Sequence, residues 1–191
     1  MITDAIHTRH WTRADYSLMA EAGVFHPDEH VELINGEILT MTPQRSQHAA
    51  LISIVDEHLR TAFGPDYLIR VQMPIALGDD SEPEPDLAIV PGRPHAYLTH
   101  HPTTALLIVE IADTTLNYDR QTKARLYATY HIPEYWILNV QEEHLEMYRA
   151  PEHGTYQTTR IYQRGETIRP LHANQATVTI TDLLPPLTIA T

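Results

Sequence analysis

The spacing of apolar positions changes at recognisable points along the chain, and each change predicts an element. "VELINGEILTM" carries apolar residues on both sides of Asn35-Gly36. That pair favours a tight primed turn, so the segment reads as a hairpin. "SQHAALISIVDEHLRTAFG" sets Leu51, Ile54, Val55 and Leu59 on one stripe and reads as a helix. Upstream, "HTRHWTRADYSLMAEAG" reads as a shorter helix, with Thr12 as its cap, Asp15 three residues on and Gly23 as its stop.

"YLIRVQMPIAL" predicts a strand, followed by a proline-rich turn and the strand "DLAIV". "ALLIVEIA" is nearly continuous in apolar residues, which suits a central strand covered on both faces. "NYDRQTKARLYATYH" reads as a helix that Pro133 ends. "EYWILNV" and "HLEMYRA" predict strands joined by a polar turn, "TYQTTRIYQ" a further strand, and "LLPPLTI" a closing segment against the body. Strands and helices are mixed rather than strictly alternating. The expected class is therefore α/β or α+β, a mixed sheet flanked by helices with additional C-terminal strands. No internal repeat is present, and 191 residues fit a single domain, 1–191.

Composition narrows the function classes. No apolar run approaches the roughly 18 residues that span a bilayer, and "MITDAIHTRHW" lacks the apolar core of a signal peptide. The expectation is a cytoplasmic protein with no membrane contact. The chain has no cysteine, which excludes disulfides, thiolate catalysis and cysteine metal sites. A net charge of −12 argues against a basic surface spread over the molecule. A local basic groove stays open, because several of the 13 basic residues cluster around "DRQTKARLY" and 13 histidines can charge below neutral pH.

Two carboxylates stand out against this background. Asp86 joins the acidic "SEPEP" stretch to an apolar strand, and Glu110 sits inside "ALLIVEIAD". Removing carboxylates from water is costly unless something compensates them. Leu106, Ile108, Glu110 and Ala112 share one strand face, and Glu110 lies towards the strand's C-terminal end, where α/β proteins commonly bind ligands. If the Asp86 and Glu110 strands are neighbours, the two carboxylates converge and call for a cation, with oxygen donors suited to Mg²⁺ or Mn²⁺. Asp119, Lys123 and Tyr127 then follow at helical spacing, so a returning helix can point Lys123 at the pair.

"PDLAIV", "LLIVEIAD" and "YDRQTKARLYATYHIPEYWILN", preceded by "VELINGEI" and "QHAALI", together resemble the Uma-type restriction endonuclease family of the PD-(D/E)XK nuclease superfamily. The resemblance covers about residues 12 to 150 and implies a restriction endonuclease-like fold. It implies a metal site of Asp86 and Glu110, with the backbone carbonyl of Ile111 as third ligand and Mg²⁺ or Mn²⁺ as cofactor. Glu32 becomes an additional acidic residue acting on the metal or its water, Lys123 the lysine that positions water or stabilises charge, and Asp119 its orienting partner. His48 stands where related sequences often carry a histidine. The superfamily lysine position, two residues after the acidic one, is Ala112 here, so the lysine is displaced onto the following helix. The implied activity is metal-dependent endonucleolytic hydrolysis of phosphodiester bonds in DNA.

Each residue also has a structural reading. Glu110 can pair with a basic side chain, Asp86 can cap a turn after Pro85, a hairpin glutamate such as Glu32 is usually solvated, and Asp119–Lys123 can be a surface pair. His48 can be a polar helix-start residue. Tyr127, Tyr130 and Trp136 read as core, and the histidines of "HPDEH" and "PHAYLTHH" as solvated loops. The competing function is a catalytically silent nuclease-fold module that binds DNA or a protein partner; RNA stays open as a substrate. Cutting both DNA strands at one place generally calls for two sites, which makes a homodimer the arrangement to expect.

Overall fold

A computed structural model describes residues 8–186. Its centre is a six-stranded sheet in the order β3-β4-β5-β6-β7-β8. The strands are β3 (Tyr67–Val71), β4 (Leu87–Pro91), β5 (Leu107–Ala112), β6 (Glu134–Asn139), β7 (His144–Glu152) and β8 (Thr155–Tyr162). Only β5 and β6 run parallel; the other neighbours are antiparallel. A parallel pair needs a crossover, and the crossover here is the helical segment from Leu116 to Thr129. The sheet is therefore mixed and flanked by helices, as the residue pattern predicts.

The apolar run of β5 is buried along its whole length. Leu107, Val109 and Ile111 pack on one side with Trp136 and with Leu51, Ile52, Val55, Leu59 and Phe63 of α2 (Ser46–Phe63). Ile108 and Ala112 pack on the other with Tyr135, Ile137, Leu126 and Tyr127. The stripe of α2 thus runs through Ile52 and Phe63, while Ile54 is only partly buried. α1 (Arg13–Glu21) begins with Thr12 and Asp15 bonded reciprocally, a full capping box.

The hairpin β1 (Val31–Ile34) and β2 (Glu37–Thr40) forms its own small sheet. Asn35 and Gly36 have φ of 50° and 78°, the left-handed pair that a primed turn needs. The Glu82 backbone N–H donates to the Leu33 carbonyl at 2.6 Å, which docks the hairpin on the acidic loop. The neighbouring Glu32 is buried, at 3% exposed.

Three segments differ from the expectation. The strand predicted over 67–77 ends at Val71, because Gln72 takes φ 50° and Pro74 follows with no N–H to donate. The crossover is not one regular α-helix: α3 (Leu116–Tyr118) and α4 (Ala124–Thr129) flank a π-turn over Asp119–Lys123. A two-stranded sheet of β9 (Thr167–Ile168) and β10 (Val178–Thr179), with α5 (Ile180–Leu183), packs against the α2 side of the core. In the predicted closing segment "LLPPLTI", Leu183 and Leu184 are buried. Its last three residues, like 1–7, lie outside the described residues. No described helix is long and apolar enough to cross a membrane.

Candidate active site

β4 and β5 pair with Leu87 opposite Val109, so Asp86, one residue before β4, stands opposite Glu110. The two carboxylates are linked through the main chain. The Asp86 N–H donates to Glu110 Oε2 at 3.3 Å, and the Ile111 N–H donates to Asp86 Oδ2 at 2.8 Å. Continuing the same register puts Pro85 opposite Ile111. Proline has no N–H, so the ladder supplies no donor from that residue to the Ile111 carbonyl. His48, in the first turn of α2, meets Asp86 Oδ1 at 3.0 Å, and Gln72 Nε2 donates to the same atom at 3.5 Å.

The crossover helix delivers the remaining charge. Lys123 Nζ donates to Glu110 Oε1 at 3.0 Å and lies 3.6 Å from Glu32 Oε2. Tyr127, one turn further on, donates its hydroxyl to the same Glu110 Oε1 at 2.8 Å. Ala112 is fully buried on the sheet face towards this helix; its methyl leaves room for a long side chain from above. Asp119 is held by the Thr115 hydroxyl at 2.6 Å and acts on Lys123 through its charge. Lys123 is the chain's only lysine; the other twelve basic residues are arginine. It is 3% exposed.

The charges here are unequal in number. Burial pushes the Glu110 carboxyl up to about 8, with Lys123 pulling it down and Asp86, Asp119 and Glu32 pushing it further up. Burial alone would lower the Lys123 ammonium, but Glu110, Glu32 and Asp119 outweigh it and raise its pKa, so it stays charged. His48 is raised, chiefly by its bond to Asp86 and against the effect of burial. Glu84 is raised by burial and then by Glu32. All of these side chains line one cavity of about 700 Å³.

Among the described residues, Glu32 Oε2 is a buried oxygen with no hydrogen-bond donor. That oxygen lies 3.6 Å from the Lys123 ammonium, and the acids lining the cavity outnumber its bases, an imbalance that a cation would relieve. No group of three His, Cys, Asp or Glu side chains is arranged for a metal among the described residues. Asp86 and Glu110 would offer a cation hard oxygen donors, the kind that Mg²⁺ or Mn²⁺ takes while keeping several waters of its own.

The sequence expectations for Glu32, His48, Asp86, Glu110, Ile111, Asp119 and Lys123 therefore fall around one cavity. Tyr127 is buried as a core residue should be, yet its hydroxyl is at the centre of the site. Its spacing of four from Lys123 was the available signal. Gln72 and Glu84 carried none, since one depends on a left-handed turn and the other on how a proline-rich loop folds.

Sheet, crossover and carboxylate pair together define a restriction endonuclease-like fold. A crystal structure from Anabaena variabilis, described as "a putative nuclease belonging to DUF820", superposes with a TM-score of 0.73 over 90% of this chain and 96% of that one, at 15% identity. At that identity the likeness is one of fold. Residues 13–181 match the Uma2 family, described as "Putative restriction endonuclease", and the chain belongs to that family. No curated protein matches the chain.

Proposed function

We propose that the protein is an endonuclease that uses Mg²⁺ or Mn²⁺ to hydrolyse phosphodiester bonds in DNA, working in the cytoplasm and as a homodimer when it cuts both strands. The observation that carries this reading is the Asp86–Glu110 pair on adjoining strands, Glu110 bonded by the Asp86 N–H and Asp86 by the Ile111 N–H, and faced by the one lysine of the chain. Asp86, Glu110 and the Ile111 carbonyl would hold the cation, which polarises the scissile phosphate and makes bound water more acidic.

The chain's own groups divide the remaining work. Lys123, kept as an ammonium, has donors only, so it orients the attacking water or a phosphate oxygen and takes no proton. Tyr127 and Lys123 both donate to Glu110 Oε1, which fixes that carboxylate's rotamer and leaves Oε2 with a single long bond from the Asp86 N–H. His48 and Gln72 hold Asp86 from the opposite side. Glu32, from the hairpin, adds negative charge where Lys123 or a cation meets it.

Supercoiled plasmid incubated with wild type and Glu110→Gln, each with Mn²⁺, Mg²⁺ or EDTA, tests the proposal. Nicking by the wild type alone, and only with metal, is the expected result. Nicking in EDTA would overturn it. DNA bound equally by wild type and Asp86→Asn, with no cleavage, would replace it by the binding-module reading. Cleavage of RNA but not of matched DNA would keep the chemistry and change the substrate.

A further inference from the structure

The π-turn is the least regular piece of the crossover, and it is also the piece that carries Lys123. Its defining bond runs from the Ala124 N–H to the Asp119 carbonyl, five residues back. Such turns hold one residue more than an α-turn and are generally uncommon and short. Something must keep this one from relaxing.

The sheet beneath supplies it. Glu110 pairs in register with Ile137 of β6, and Ile137 with Glu146 of β7. Glu110 and Glu146 therefore lie in one row across the sheet, two strands apart on the same face. The π-turn lies along that row and touches it at both positions. Lys123 reaches Glu110, while Arg120 reaches Glu146 through Nε, at 3.0 and 3.1 Å from its two oxygens, and through Nη2. Glu146 is 3% exposed and fully engaged, taking further bonds from the Tyr148 hydroxyl at 2.7 Å and from His144 at 3.2 Å. Burial alone would raise its pKa, yet these bonds hold it below the ordinary range, so it is a fixed anion. Tyr135 of β6 adds a bond from its hydroxyl to the Asp119 carbonyl at 3.3 Å.

We propose that Arg120 and Glu146 are positioning residues of the site: their ion pair pins the π-turn to the sheet and so aims Lys123 at Glu110. Neither side chain reaches the carboxylate pair itself. If the pin is released, the surplus residue can be absorbed by turning the helix. A one-residue change of register rotates a side chain by about 100° and moves Lys123 off its row. The position left by Ala112 can be served from a helix only if the helix is fixed in rotation, and this ion pair fixes it.

The inference rests on the nuclease reading for its activity consequence alone, because the lysine itself can be observed directly. As the only lysine, Lys123 gives a single side-chain ammonium signal in protein labelled with ¹³C,¹⁵N-lysine. In the wild type that signal is expected in slow exchange with water. The paired variant Arg120→Met/Glu146→Gln removes both charges together at similar volume. We expect it to stay folded, to lose the slow-exchange signal, and to lower kcat for nicking about 10–100-fold with KM little changed. Glu146→Asp keeps every charge and shortens the reach by one methylene; it serves the same measurement if the paired variant does not fold, and should show a partial loss of the signal. An unchanged ammonium signal in either folded variant overturns the proposal. If the wild type cleaves nothing, the nuclease reading fails while the lysine signal still decides the positioning role.

Discussion

Glu134 and Glu110 are both buried strand glutamates of the same sheet, and their surroundings differ in kind. Glu134 is fully buried and stands opposite Arg149 in register, which donates through Nε at 2.9 Å. The Trp136 indole N–H at 2.8 Å and the Leu171 N–H at 2.7 Å complete its shell. One cation meets one carboxylate, and each oxygen has a donor. Around Glu110, a single ammonium is shared among several carboxylates, one of which keeps an orphaned oxygen. Both oxygens of Glu110 have donors as well, so what sets the two apart is the count of charge: one cation for one acid at Glu134, and one ammonium among several acids at Glu110.

The sharpest way to break that comparison is to remove each acid in turn. Glu134→Ala strands Arg149 and leaves the Trp136 and Leu171 donors unpaired. It should cost about 3–5 kcal/mol in a urea melt, a large share of a domain's typical 5–15 kcal/mol. Glu110→Gln should show no loss of that size. Equal losses at both positions would make Glu110 another structural pair.

Next comes the response to metal. A cation bound only by the folded protein at about 100 times its dissociation constant stabilises by about 2.7 kcal/mol. Adding Mn²⁺ should therefore raise the melting temperature of the wild type and of Glu134→Gln, and should leave Asp86→Asn and Glu110→Gln unmoved. A shift that survives in both latter variants would place the cation elsewhere.

A smaller effect sharpens the contrast through pH, with metal absent. The Glu110 carboxyl sits at about 8 in the fold, above its ordinary 4.5, because burial disfavours the anion. The folded state thus holds this proton more tightly than the unfolded chain. The resulting stability is complete below about 4.5 and is lost as pH rises through about 8. Glu110→Gln cannot ionise, so its stability relative to wild type should climb between pH 5 and 8, by on the order of 1–3 kcal/mol, and level off above. A pH-independent loss would instead identify a stabilising Lys123–Glu110 pair.

Much of this was legible in residues with strict local requirements. Asn35-Gly36 announced the primed turn, Thr12 with Asp15 the capped helix, and the apolar run before Glu110 a strand covered on both faces. The residues brought Asp86 and Glu110 together only on the condition that their strands were neighbours, and no local pattern could have paired β4 with β5. What escaped is what local pattern does not encode. Gln72 ended β3 by adopting a left-handed conformation that glutamine does not advertise. The π-turn looks like an α-helix in composition, because only the span of one hydrogen bond differs. That Lys123 is the one lysine beside twelve arginines is plain in the sequence, but the count alone does not say what the ammonium does.

Tyr127 gives the finest cut, because it belongs to both halves of the comparison at once. Its ring packs edge-on against Tyr135 with centroids 5.0 Å apart, as a core aromatic should, while its hydroxyl is one of two donors on Glu110 Oε1. Tyr127→Phe keeps the ring and deletes the donor, and the expected loss is about 1 kcal/mol. The informative quantity is the coupling to Glu110→Gln in a double-mutant cycle above pH 8, where the carboxylate is charged. If the hydroxyl acts through Glu110, most of that loss disappears in the Gln background; if Tyr127 matters only as core, the two changes add. At pH 6 the carboxyl carries its own proton, so the coupling should shrink. The matched shell of Glu134 should show no comparable change over this range.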